Sequence, residues 1–117
     1  MLARANRIVL ADDYRNTVRR GRKSATAHCV VYLRQQAGER SVAVGPPRFG
    51  FIVSKAVGNA VIRNTIRRRL KAVAHANLES VPWGTDVVIR ALPSVVEAGW
   101  PILLDEITRV MDKGVKA

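Results

Sequence analysis

The sequence predicts an α+β fold, a small sheet with helices packed against it, and three features carry that prediction. Residues 59–76 repeat apolar side chains at helical spacing. Three runs, at 25–34, 48–54 and 85–92, are rich in β-branched and aromatic residues and are bounded by Gly, Pro or polar residues. Asp12-Asp13 precede a short stretch that ends in Arg19-Arg20-Gly21, the charge order that suits a helix dipole. The chain has 117 residues, 48% of them apolar, which fits a single domain over 1–117 with one hydrophobic core and excludes a wholly disordered chain.

In chain order, residues 1–6 are expected to fray. Asp12-Asp13 cap a helix over 13–20, and Gly21 stops it. A short extended piece at 22–24 adds an edge to the strand at 25–34. Residues 35–47 contain Gly38, Gly45, Pro46 and Pro47 and read as a connection to the strand at 48–54. Gly58-Asn59 opens the main helix. At 100° per residue Ile62, Ile66, Leu70 and Val73 fall within an arc of roughly 80°, which is its buried stripe. Ser94-x-x-Glu97 has the form of a capping box, but Gly99 and Pro101 follow it. Pro101 suits a first helical position, so the last helix is expected over 101–113.

Charge points to the partner. The chain carries 20 Lys+Arg against 9 Asp+Glu, a net of +11. Residues 1–78 hold 16 of the cations and 3 of the acids, and no acid occurs from Arg40 to Leu78. Such a balance suits an anionic partner and says little about fold. The chain start has no apolar signal core, and no apolar run approaches the ~20 residues of a membrane span, so a soluble cytoplasmic protein is the expectation. The lone Cys29 sits beside Val30 and Val31 and reads as a buried strand thiol. His28 and His75 have no partners at metal-ligand spacing, and no Gly-rich phosphate loop or catalytic set is present. Asp12-Asp13 and Asp105-Glu106 read as helix-terminal or solvated charges.

The basic helix differs from an ordinary solvated face, which interleaves acids for i,i+4 pairs. Arg63, Arg67 and Lys71 stand at i, i+4, i+8, with Asn64 and Arg68 beside them and Arg69 somewhat off the face. These cations repel one another unless a polyanion offsets them, and arginine suits bidentate phosphate contact. Before the helix, a strand end, the turn at Gly58 and the helix N-terminus together could present backbone N–H groups to an anion, with Lys55 alongside. The helix has only a core stripe opposite its charges and no Trp or Phe there, which disfavours a membrane surface.

The run Phe49-Gly50-Phe51-Ile52-Val53-Ser54-Lys55-Ala56-Val57-Gly58-Asn59-Ala60-Val61-Ile62-Arg63-Asn64-Thr65-Ile66-Arg67-Arg68-Arg69-Leu70-Lys71 closely resembles the signature of the bacterial ribonuclease P protein family. Tyr14-x-x-x-Val18-x-x-Gly21 resembles its N-terminal aromatic helix, and Asp86-Val87-Val88-Ile89-Arg90-Ala91 its later strand. The chain departs from the pattern at Ala56, Thr65, Val18 and Cys29, where the family often has basic or aromatic residues.

The resemblance implies a small α-β sandwich, a central mixed sheet of about four strands with three helices and a left-handed βαβ crossover, of a class also found in a ribosomal protein domain. It implies an RNA-based endoribonuclease that removes the 5′ leader of precursor tRNA, with the chemistry in the RNA subunit and no catalytic side chain in the protein. No cofactor is implied for the protein alone; Mg2+ is required by the RNA–protein holoenzyme. The implied partners are ribonuclease P RNA and precursor tRNA, without a membrane, the protein being a monomer in a 1:1 complex with the RNA. Carried onto this sequence, Lys55, Asn59, Arg63, Asn64, Arg67, Arg68, Arg69 and Lys71 would face the catalytic RNA. Tyr14, Val18, Tyr32 and Phe51 would line the leader cleft between the first helix and the sheet. Phe49 and Phe51 are two apart and share one sheet face, which is either core or RNA-facing. The rival readings are a structural RNA-binding protein such as a ribosomal protein, which has no reason to carry this motif, and a protein nuclease, which would need carboxylates or a His pair near the basic face.

Overall fold

A computed structural model describes residues 2–35 and 45–116. It contains helices α1 (Ala11–Arg20), α2 (Ala60–Ala76) and α3 (Trp100–Lys116) and strands β1 (Arg22–Ala25), β2 (Cys29–Gln35), β3 (Arg48–Ile52) and β4 (Thr85–Ala91). Short 3₁₀ turns occupy Arg4–Asn6, Leu78–Ser80 and Pro93–Glu97. The four strands form one mixed sheet in the order β1-β2-β4-β3. β1 with β2 and β2 with β4 are antiparallel, while β3 and β4 are parallel. Parallel neighbours need a crossover, and α2 supplies it, making β3–α2–β4 the βαβ unit. Most of the expected connection at 35–47 lies outside the described residues.

The strand period of two divides the sheet into unequal faces. Cys29, Val31, Leu33, Phe49, Val87, Ile89 and Ala91 point to the main core, which α2 and α3 close with Ile66, Leu70, Val73, Leu103, Ile107 and Met111. Val30, Tyr32 and Val88 point the other way and join Ile8 in a small cluster, against which Tyr14 and Val18 of α1 and Ile52 of β3 pack. One face is therefore a full core, and the other is thinly covered by a single ten-residue helix.

Several local expectations are corrected. The chain start is ordered by tertiary contacts: Leu2 is buried in the main core, Arg7 donates to its carbonyl from Nε and Nη2 at 3.2 and 2.9 Å, and Asn6 Nδ2 donates to Pro47 O at 2.9 Å. The N-cap of α1 is Leu10, with no side-chain cap, so Asp12 and Asp13 serve the first turn as charges rather than as caps. Gly21 ends α1 without a left-handed backbone, its φ being −76°. A Cβ there would lie 2.4 Å from Thr17 O and 2.8 Å from Leu33 O, so close approach of two backbones demands the glycine. Ser94 caps nothing; its hydroxyl donates to Ala27 O at 3.1 Å, and the segment forms a 3₁₀ turn before α3. Ile62 leaves the expected stripe and is 39% exposed, with Ala74 buried in its place. It stacks over Gly58 instead, where a Cβ would meet its Cγ2 at 2.9 Å.

Candidate nucleic-acid interface

The strand β3 ends in a turn over residues 54–58 that carries the chain into α2. Val57 N–H donates to Ser54 O at 3.1 Å and Gly58 N–H to Lys55 O at 3.2 Å. Asn59 is the N-cap, its Oδ1 accepting from Ile62 N–H at 3.0 Å. Three of the donors expected to face an anion are thus satisfied internally, and the backbone nest is weaker than the sequence suggested. Buried Val57 pins the turn to the core, while Lys55 stays exposed.

The eight residues expected to face RNA, six on α2 and two in the turn before it, separate into three groups. Asn64, Arg67, Arg68 and Lys71 come together with Val61 around a shallow surface concavity of about 480 Å³. Arg67 Nη1 lies 3.4 Å from Asn64 Oδ1, a contact that lines the two side chains up along the helix. Arg63 leans back over the entry turn, Nε donating to Gly58 O at 3.2 Å, beside the cap Asn59 and near Lys55 in sequence. Arg69 departs to the other flank, where Nη1 reaches Ala98 O at 3.4 Å. Among the described residues no carboxylate forms an ion pair with any cation of α2. The helix therefore presents concentrated positive charge with no counter-charge among the described residues.

The second candidate surface lies across the sheet. The Tyr14 ring rests on β3 at Gly50, where a Cβ would come within 2.4 Å of Tyr14 Cε1, so only glycine admits the ring. Tyr14 Oη accepts the Phe51 N–H at 3.2 Å, and Ile8 N–H donates to Phe49 O at 2.9 Å. Together these two contacts close the outer edge of β3. Beside the ring runs a groove of about 550 Å³ lined by Ala11, Tyr14, Arg15, Val18, Arg19 and Ile52.

Tyr14 and Val18 thus stand where the sequence reading put them, but Tyr32 and Phe51 do not. Tyr32 is 5% exposed, beneath the groove in the small cluster, and offers no face to a ligand. Phe51 points to the opposite side of the sheet and packs against the main core with Phe49. The alternation of the strand makes this unavoidable once Phe49 is core, and it puts Ile52 in the groove. Applying that alternation from Phe49 would have found Ile52 in the sequence; Arg15 and Arg19 follow from Tyr14 and Val18 by helical spacing.

A partly buried polar cluster ties the first turn of α1 to the start of β3 and β4. Arg48 grips Asp86, its partner across the β3–β4 ladder, through Nε–Oδ1 at 2.9 Å and Nη2–Oδ2 at 2.8 Å. Its third nitrogen, Nη1, reaches Asp13 Oδ2 on α1 at 3.3 Å. Asp86 is only 1% exposed, and its hydrogen bonds hold the Arg48 guanidinium above its usual range, against the opposing effect of burial. Elsewhere His28 Nδ1 meets Glu106 Oε2 at 2.5 Å, tying the start of β2 to α3. Burial, helped by the Glu106 charge, pushes the neighbouring Cys29 thiol up to about 12, so it is inert at neutral pH.

Among the described residues no group of three His, Cys, Asp or Glu side chains could hold a metal ion, and no helix is long and apolar enough to cross a membrane. Fold and surface together define a small α+β protein with a bare cationic helix on one side and an apolar groove on the other. The ribonuclease P family profile matches residues 2–114. The ribonuclease P protein component of Clavibacter michiganensis subsp. michiganensis is 48% identical over 116 residues, covering 99% of this chain and 98% of that protein. That of Rhodococcus opacus is 49% identical over 100 residues, covering 84% and 79%. A Staphylococcus aureus RNase P protein mutant superposes with a TM-score of 0.79 at 23% identity, over 92% of this chain and 86% of the other. The Thermotoga maritima RNase P protein superposes at 0.77 and 19% identity, over 92% and 96%, and at such identities these likenesses speak for the fold alone. The chain belongs to the ribonuclease P protein family.

Proposed function

We propose that this chain is the protein subunit of a ribonuclease P holoenzyme, binding the catalytic RNA through α2 and the 5′ leader of precursor tRNA through the groove beside α1. The observation that carries this reading is the uncompensated cationic face of Asn64, Arg67, Arg68 and Lys71. A run of like charge on one helix costs stability, and a polyphosphate strand offsets that cost. The groove suits a different contact: a fixed Tyr ring and aliphatic walls offer a base a stacking platform, while Arg15 and Arg19 stand at its edge within reach of a backbone.

In this reading the protein positions and the RNA reacts. Endonucleolytic removal of the leader is carried out by the RNA subunit with Mg2+ bound to the RNA, and one protein monomer joins one RNA. The side chains of this chain bind phosphates, hold a leader base and bring the two RNAs together.

The test is reconstitution. The purified chain, mixed with a ribonuclease P RNA at a Mg2+ concentration too low for the RNA alone, is expected to restore 5′ maturation of precursor tRNA. The chain alone is expected to cleave nothing. Failure to stimulate the RNA, or robust cleavage by the protein alone, would overturn the assignment.

A further inference from the structure

The groove exists only because α1 is held at a fixed height above the sheet, and its apolar contacts are few. Of the ten residues of α1 only Thr17 is fully buried, and its hydroxyl is turned inward to Asp13 O at 2.8 Å. Tyr14 and Val18 pack on the small cluster, and the rest of the attachment is a polar tie. Arg48 stands at the start of β3 with two nitrogens on buried Asp86 and the third on Asp13, one residue before Tyr14 in α1.

We infer that Arg48 and Asp13 are positioning residues for the leader groove: by bridging β4, β3 and the first turn of α1, they fix the Tyr14 ring over Gly50 and so set the width between Tyr14, Val18 and Ile52. Arg48 itself does not contact the leader. Its side chain is about three-quarters buried and its guanidinium is engaged by two carboxylates, so its charge is neutralised within the fold. The bond to Asp13 is the longest of the three and the most solvent-accessible, and it is the one that fastens the helix rather than the sheet. The ring's seat has its own reporter, because the Phe51 N–H donates to Tyr14 Oη at the outer edge of β3.

This inference rests on the groove reading above, and the experiment separates the two. Replacing Arg48 would also break its pair with Asp86, so the informative variant is Asp13→Asn, which leaves the Arg48–Asp86 pair intact. Holoenzyme reconstituted with this variant is titrated with precursor tRNA and with mature tRNA. In parallel, amide exchange at Phe51 is followed in the free protein.

Asp13→Asn removes a negative charge from an RNA-binding protein, so electrostatics alone predicts tighter binding. The positioning role predicts the reverse: precursor binding weakened by about fivefold, mature tRNA unchanged, and faster exchange at Phe51. Asp13→Glu keeps the carboxylate and is expected to recover most of the loss. Unchanged or tighter precursor binding by Asp13→Asn, or an equal loss for both tRNAs, would overturn the positioning role. If Tyr14→Ala and Val18→Ala also leave precursor preference unchanged, the groove reading itself fails.

Discussion

Helices α1 and α2, on opposite faces of the sheet, use charge in opposite ways. On the α1 side the acids are engaged locally: Asp12 pairs with Arg15 at 3.0 Å, and Asp13 and Asp86 share Arg48. On the α2 side Arg67, Arg68 and Lys71 have no carboxylate partner among the described residues. Paired acids on one side build a shape, whereas the α2 cations call for counter-charge from a partner. The two surfaces should therefore answer to different variables. Binding through α2 should fall steeply with salt, because it is driven by release of counterions from the RNA. Binding through the groove should depend on ring position and fall more gently, because stacking is only weakly screened.

The largest expected effect falls on the side whose charges are paired. Arg48→Ala leaves Asp86 buried without its cation and should destabilise the fold by about 3 kcal/mol, seen in urea titration. A loss under 1 kcal/mol would mean that the α1 side is not held together by its ion pairs. Next comes the ring. Tyr14→Ala should weaken leader-dependent binding by about tenfold, within the 1–3 kcal/mol of a stacked base. Tyr14→Phe keeps the ring and removes only the acceptor for Phe51 N–H, so it should cost about 1 kcal/mol of stability while retaining most of the leader preference. Equal losses in binding from the two variants would show that the hydroxyl, not the ring face, carries recognition.

Smaller effects sharpen the division further. Arg69→Ala should change affinity for the catalytic RNA less than twofold, since its guanidinium turns to Ala98 O. A loss as large as that from Arg68→Ala would place Arg69 back on the RNA-facing surface. The buried thiol gives a check on the core between the two sides. Cys29 is neutral when folded up to about 12, while the unfolded thiol ionises near its ordinary value of 9.0. Its contribution to stability is therefore complete below pH 9 and is lost as pH rises from there toward 12. Folded protein at pH 8 should resist alkylation, and denatured protein should react within minutes; equal rates would contradict its burial.

How much of this was legible in the sequence follows the reach of the interactions. The basic helix was legible because its signals are local: the apolar spacing of Ile66, Leu70 and Val73, the cap at Asn59, and an acid-free run of cations. The strands were legible to within a few residues for the same reason. The left-behind features are nonlocal. Nothing in the sequence says that Arg48 faces Asp86, because that register depends on two strands 38 residues apart meeting in parallel. Tyr32 looked available because a strand pattern tells which residues share a face but not which helix covers it. Leu2 looked frayed because its partners lie in the distant core. Phe51 is the intermediate case, since the alternation was visible and only the choice of inner face was open.

The role proposed for α2 is that of electrostatic anchor to the catalytic RNA. The most direct measurement is the salt dependence of binding between ribonuclease P RNA and either the wild-type chain or the triple variant Arg67→Ala, Arg68→Ala, Lys71→Ala, at constant Mg2+. The variant is expected to bind about a hundredfold more weakly at low salt, and its plot of log affinity against log salt should be shallower by about 2 to 3. Unchanged affinity with an unchanged slope would contradict the claim and return the helix to an ordinary solvated face.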